Sequence, residues 1–359
     1  MTISTIVFLV LGLVLLVAGA EYLVRGAANL AVTFGVSALV VGLTVVAFGT
    51  SAPELAVSVV SAYKGESDMA IGNVVGSNVF NILVILGLSA VIVPLSVNAQ
   101  LVRFDVPVMI VISFLLLPLG WNGLIDRTDG VLLAGGAVVY TVYLIYQSRK
   151  EKDEGVKAEY EEEFGAQKGG GSVLKNLGLV VIGMVGLVLG SKWLVSSSIE
   201  IAKVFGVSEM VIGLTIVAVG TSLPEVATSV VAAVRGERDI AVGNAVGSNI
   251  FNLLCVLGFG SIVAPDGLEV SQDALRFDIP VMIGVAVACL PVFFSGFRVR
   301  RWEGLVFLAM YGLYMAHVVL KASGHPAFAN YERSLLLVVF PALALIFLVT
   351  GVMALRKND

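Results

Sequence analysis

Glu54 and Glu225 stand near the middle of long apolar segments, where a carboxylate needs a reason to be. A charged side chain at the centre of a bilayer costs roughly 3 kcal/mol or more, so such residues mark ion or proton pathways. Oxygen-bearing residues surround both. The first block reads Gly49-Thr50-Ser51-Ala52-Pro53-Glu54, then Gly72-Asn73-Val74-Val75-Gly76-Ser77-Asn78-Val79-Phe80-Asn81. The second reads Gly220-Thr221-Ser222-Leu223-Pro224-Glu225, then Gly243-Asn244-Ala245-Val246-Gly247-Ser248-Asn249-Ile250-Phe251-Asn252. Residues four apart share a helix face. That places Thr50 with Glu54, and Asn73 with Ser77 and Asn81; it likewise places Thr221 with Glu225, and Asn244 with Ser248 and Asn252. Carboxylates, amides and hydroxyls without thiolate or imidazole suit a hard cation rather than zinc or copper. Ca²⁺ takes about six to eight such oxygens.

Backbone oxygens add to this inventory. Proline has no amide hydrogen and obstructs the carbonyl four residues back. Pro53 and Pro224 therefore free the carbonyls of Gly49 and Gly220, and those of Ala47 and Ala218 are expected to open beside them. Broken helices with unwound carbonyls near the membrane midplane are how transporters build ion sites. Gly72, Gly76, Gly243 and Gly247 form small-x-x-x-small pairs, which favour close helix packing.

The surrounding chain has to be a membrane bundle. Of 359 residues, 58% are hydrophobic and 13% charged, and mean hydropathy is +0.99. Soluble domains carry about 25% charged residues. Apolar stretches long enough to cross a hydrocarbon core of about 30 Å fall near 3–27, 37–63, 69–93, 104–120 and 128–147, and again near 173–203, 208–234, 240–264, 277–295 and 303–321. The run from Met1 to Ala20 ends in Ala-Gly-Ala but has no preceding Lys or Arg, so it reads as part of a span rather than a signal peptide. Cys255 and Cys289 both sit in apolar segments, outside any C-x-x-C motif.

The two sets are copies. Gly19 to Gly87 aligns without gaps to Gly190 to Gly258 at an offset of 171, with 39 of 69 positions identical. Five spans per copy turn the second upside down, giving inverted repeats. The expected fold is thus an all-α polytopic membrane protein: a first five-helix repeat at 1–147, a charged cytoplasmic linker at 148–172, and a second at 173–321. A loop and an eleventh helix follow at 322–359. The linker is too polar to fold alone. With the N-terminus outside, fifteen Lys and Arg fall on the cytoplasmic side and six on the other. Cytoplasmic loops are enriched in Lys and Arg, so the N-terminus is expected outside, and linker and C-terminus inside.

Remaining polar residues read as structural. Asp105 and Asp278 precede Pro107 and Pro280 and are expected to cap helix starts, with Asp68 and Asp239 placed similarly. Glu21 and Arg25 are expected to pair, Lys192 to snorkel its amine to an interface, and His317 and His325 to sit near a helix end and a loop.

In its two motif blocks the chain resembles the cation/Ca²⁺ antiporter superfamily, whose repeats read G-T-S-x-P-E and G-N-x-x-G-S-N. It is most similar to prokaryotic Na⁺/Ca²⁺ exchangers, over about 320 residues. The resemblance implies ten helices in two inverted halves and sliding of the first and sixth spans. It also implies a central Ca²⁺ site flanked by Na⁺ sites. Glu54 and Glu225 would be shared ligands, with Thr50 and Thr221 around the same site and Asn81 and Asn252 lining its middle. Ala47, Ser77, Ala218 and Ser248 would flank it in outer Na⁺ positions, and Ser51 and Ser222 complete the set. Close prokaryotic relatives often have Asp where Asn252 stands, which argues against K⁺ co-transport here.

The resemblance thus implies antiport of Na⁺ against Ca²⁺ in a prokaryotic plasma (inner) membrane. The implied partners are those ions and the lipid bilayer, with no cofactor, enzymatic step or nucleic acid. A Ca²⁺/H⁺ antiporter of the same architecture is the alternative, disfavoured because proton-coupled relatives have a Gly-Asn-x-x-Glu type motif. A cation channel would need rings of carbonyls or charges, not unlike helices from opposed repeats.

Overall fold

A computed structural model of the chain describes residues 3–150, 172–206 and 218–335, with residues 212, 216 and 337. The expected linker lies almost wholly outside the described residues. So do nearly all of the expected eleventh helix and most of the first half of the span expected at 208–234. The described helices are α1 (Ile3–Phe34), α2 (Ala38–Thr50), α3 (Ala52–Tyr63), α4 (Ser67–Ile92), α5 (Leu101–Gly120) and α6 (Arg127–Lys150). After the gap come α7 (Val173–Val204), α8 (Ala218–Gly220), α9 (Leu223–Val234), α10 (Arg238–Val263), α11 (Ala274–Phe294), α12 (Arg301–Ala322) and α13 (Phe328–Ser334). Eight of these are long and apolar enough to cross a membrane, and α2 with α3 makes a ninth span bent by 48°. The protein is a nearly all-helical, multi-pass membrane protein.

Four two-residue strands reveal how the halves are related. β1 (Leu95–Ser96), between α4 and α5, pairs antiparallel with β4 (Arg298–Val299), between α11 and α12. β2 (Leu124–Ile125), between α5 and α6, pairs with β3 (Leu268–Glu269), between α10 and α11. Under the 171-residue offset, the α4–α5 connection corresponds to α10–α11, yet it lies beside α11–α12. Each connection therefore shares an end of the bundle with the opposite connection of the other half. Parallel halves could not do this. The repeats are inverted.

The crossing of α1 and α7 shows the same relation. A Cβ on Gly12 would meet Leu194 N at 2.7 Å, and one on Gly19 would meet Leu187 N at 2.7 Å. One on Gly26 would meet Asn176 O at 2.8 Å. Contacts descend along α7 as they ascend along α1, so the helices run antiparallel. Gly183 and Gly190 reciprocate, at 2.6 Å from Leu23 N and 2.7 Å from Gly12 O. Between helices in lipid the attraction comes from close packing rather than water exclusion, and small residues permit it. The outer faces of α1 and α7 are correspondingly apolar and exposed, as at Val10, Val14, Val17, Val181 and Val185.

The salt bridge expected between Glu21 and Arg25 is present at 3.5 Å, but Arg235 from the second half also binds Glu21, at 2.7 Å. The capping expected of Asp105 and Asp278 is not what the structure shows. Neither makes a side-chain cap bond. Instead Tyr140 on α6 donates to Asp105 at 2.9 Å, and Tyr314 on α12 donates to Asp278 at 3.3 Å. Each aspartate is the carboxylate end of an interhelical bond, at equivalent places in the two copies. His317 is buried within α12 and stacks on Phe277 at 3.5 Å between ring centroids.

Candidate cation site

The central helices α4 and α10 are the most buried spans, and the breaks at Ser51 and Ser222 lie against them. At the first break Ser51 closes its turn by donating to Ala47 O at 3.0 Å. At the second, Ser222 donates to Val219 O at 3.1 Å, a tighter turn by one residue. Pro53 and Pro224 fall at the second position of the helices that resume, where a missing amide costs nothing. Glu54 and Glu225 follow in their first turns, suited to the partial positive charge of a helix N-terminus.

The carboxylates are locked reciprocally. Ser51 donates to Glu225 Oε1 at 2.9 Å, and Ser222 donates to Glu54 Oε1 at 3.0 Å. Ser222 also reaches Ser77 Oγ at 3.3 Å. Each serine precedes its own glutamate by three residues, so the two crossed bonds bring both carboxylates to one place. Each glutamate is only 1% exposed.

The other oxygens divide into those that brace and those that are left open. Asn73 donates to Ser58 Oγ at 2.9 Å and Glu54 O at 3.3 Å, and accepts from Thr221 at 3.5 Å. Asn244 donates to Ser229 Oγ at 2.9 Å and Glu225 O at 3.4 Å, and accepts from Thr50 at 3.0 Å. These amides tie the broken helices to the central ones, and are not the open ligands that helical spacing alone suggests. Nor is the Ala47 carbonyl open as expected. It accepts from Ser51 N and, at 3.3 Å, from Thr50 Oγ. Ala218 heads the short helix α8, and its side chain lies outside the described residues.

Five buried oxygens of the expected ligand set have no hydrogen-bond partner among the described residues: Glu54 Oε2, Glu225 Oε2, Asn81 Oδ1, Asn252 Oδ1 and Ser248 Oγ. A buried polar atom without a partner costs about 1–3 kcal/mol. Two glutamates, two asparagines and a serine of the expected ligand set each keep such an oxygen, the donor type that a hard cation takes. Asn81 and Asn252 also each open a π-helical turn, Asn81–Leu86 and Asn252–Val256. Such turns are frequent at functional sites. Sequence reasoning missed them, as it missed the bracing roles of Ser58 and Ser229; the latter were signalled by identity across the repeat.

Among the described residues no group of three or more His, Cys, Asp and Glu gathers into a metal cluster. The buried oxygens instead combine two carboxylates with neutral amides and a hydroxyl.

Inverted halves meeting at a buried, partly neutral oxygen cage define a membrane transporter for cations. The model of the sodium/calcium exchanger protein family matches residues 4–147 and 175–320, and the chain belongs to that family. It is 32% identical over 334 residues to the sodium/calcium exchanger MaX1 of Methanosarcina acetivorans, covering 84% of this chain and 95% of that one. It is 33% identical over 282 residues to the inner membrane protein YrbG of Escherichia coli, covering 79% and 87%. A solved structure of the sodium-calcium exchanger NCX_Mj superposes with a TM-score of 0.75 at 32% identity, covering 88% of this chain and 99% of the other.

Proposed function

We propose that this antiporter exchanges Na⁺ for Ca²⁺ by alternating access at a single midplane site. The observation that carries the reading is the set of open oxygens on Glu54, Glu225, Asn81, Asn252 and Ser248 around reciprocally locked carboxylates. Two carboxylates match the charge of one Ca²⁺ or of two Na⁺. A third Na⁺ would leave one net positive charge. Moving one charge through 100 mV is worth about 2.3 kcal/mol, so a three-for-one exchange would use the membrane potential to expel Ca²⁺. Without an ion the two carboxylates face each other uncompensated in a low dielectric, which makes the empty carrier costly to reorient and couples the fluxes. Thr50, Thr221 and Ser77 supply further hydroxyls around the same ions, while Ser51 and Ser222 hold the two carboxylates in place.

The proposed orientation has the N-terminus outside and the 148–172 linker and C-terminus in the cytoplasm. It rests on the excess of Lys and Arg that this assignment puts inside, and the membrane proposed is the plasma (inner) membrane of a prokaryote. Reconstitution into liposomes tests the function. A Na⁺ gradient should drive radioactive Ca²⁺ against its own gradient, and a pH gradient without Na⁺ should not. Ca²⁺ movement that follows the pH gradient and ignores Na⁺ would replace this reading by a proton-coupled one.

A further inference from the structure

Resting on the reading of Asn81 and Asn252 as cation ligands, the question is what turns their amides the right way. A primary amide has an electron-rich end and a hydrogen-bearing end of nearly the same shape. Reversed, it would present an NH₂ group to the ion.

The structure answers through two residues not in the expected ligand set. Asn78 Nδ2 lies 3.3 Å from the main-chain carbonyl of Asn249, and Asn249 Nδ2 lies 3.1 Å from that of Asn78. A main-chain carbonyl only accepts, so both amides are obliged to present nitrogen there. The same nitrogens point at thioethers, Asn78 at Met282 Sδ (3.7 Å) and Asn249 at Met109 Sδ (3.6 Å), which also only accept. Orientation at this pair is fixed twice over.

That leaves the Oδ1 of each facing the next amide. Asn252 Nδ2 donates to Asn78 Oδ1 at 3.1 Å, and Asn81 Nδ2 donates to Asn249 Oδ1 at 3.0 Å. The nitrogens of Asn81 and Asn252 are thereby turned away, and their oxygens are the ones left without partners. All four residues are no more than 2% exposed, so no solvent competes for these bonds.

We propose that Asn78 and Asn249 are positioning residues of the cation site, which hold the amides of Asn252 and Asn81 with oxygen toward the ion. Each acts from one repeat on the ligand of the other, so an ion-binding geometry in either half depends on both halves being docked.

The test uses the symmetry of a carboxylate. Aspartate at position 252 offers oxygen at both ends and has no orientation to set. Ca²⁺ binding to the purified full chain is measured with radioactive Ca²⁺ for the parent, Asn78→Leu, Asn252→Asp and the double variant. Loss of a group that orients a metal ligand typically costs about 10- to 100-fold in affinity, which is the loss expected for Asn78→Leu in the parent. In the Asn252→Asp background the same substitution should change affinity by no more than about twofold. Equal losses in both backgrounds, or none in the parent, would overturn the proposal.

Should Asn78→Leu fail to yield folded protein, the mirror pair repeats the comparison, since Asn249 holds Asn81 as Asn78 holds Asn252. Asn249→Leu should lower Ca²⁺ affinity about 10- to 100-fold in the parent and by no more than about twofold in an Asn81→Asp background, and equal losses in both would contradict the assignment. A parent that binds no Ca²⁺ at all would remove the site reading itself. A parent that binds, with equal losses in both backgrounds, would remove only the roles of Asn78 and Asn249.

Discussion

Ser51 Oγ donates to Glu225 Oε1 at 2.9 Å across 174 residues of chain, and its repeat partner Ser222 returns the bond to Glu54. The glutamate of each half is thus held by the hinge of the other.

Removing either carboxylate should be severe. Breaking a buried charge arrangement by deleting one member costs about 3–5 kcal/mol, and 1.4 kcal/mol is about tenfold in affinity. Glu54→Gln and Glu225→Gln are each expected to weaken Ca²⁺ binding by roughly a hundredfold or more. Titration of Ca²⁺ into purified protein checks this, and unchanged binding in either variant would disconnect that residue from the site.

The crossed serines should matter most when no ion is bound. A hydrogen bond to a charged group is worth about 1.5–3 kcal/mol. Ser51→Ala and Ser222→Ala should therefore lower the thermal midpoint of ion-free protein, and less so with saturating Ca²⁺. Equal shifts in both conditions would mean that the serines serve packing alone.

Ser191 marks a difference between the halves. It donates to Gly220 O at 2.7 Å, the carbonyl that Pro224 leaves without its usual helix donor. Under the repeat offset its counterpart is Ala20, which has no hydroxyl. Ser191→Ala should destabilise by about 1–2 kcal/mol and change the rate of exchange, since the bond joins α7 to the second hinge. The matching experiment is Ala20→Ser, and no effect of Ser191→Ala on either midpoint or flux would deny the bond a role.

The glycine crossing should tolerate nothing larger. A Cβ on Gly183 would sit 2.6 Å from Leu23 N and 2.7 Å from Gly19 O, both backbone atoms that cannot swing aside. Gly183→Leu is expected to force α1 and α7 apart, with a stability cost of about 1–3 kcal/mol and slower flux. Gly178, where a Cβ meets nothing within 4 Å, should accept the same change silently.

Much of this was legible before any coordinates. A carboxylate in an apolar span, flanked by hydroxyls and amides at helical spacing and repeated after 171 residues, leaves few chemical options. What stayed hidden depends on partners brought from the other half. Asn73 looked like Asn81, yet the nearness of Ser58 and Thr221 turns it into a brace. Asp105 looked like a cap because it precedes Pro107, but Tyr140 lies 35 residues further on. Ala47 lost its expected openness because Ser51 N still completes the ordinary helical bond to its carbonyl ahead of the break. Asn78 and Asn249 were in plain view within the repeated blocks. Only the direction of their hydrogen bonds distinguishes them from ligands.

The central claim is that one cage, built from both halves, serves competing ions. Equilibrium binding of radioactive Ca²⁺ to the purified protein at graded Na⁺ concentrations tests it most directly. The account predicts one Ca²⁺ bound per chain, with Na⁺ lowering apparent affinity competitively and Glu54→Gln and Glu225→Gln each abolishing that competition. Two independent Ca²⁺ sites, or Ca²⁺ binding indifferent to Na⁺, would contradict it.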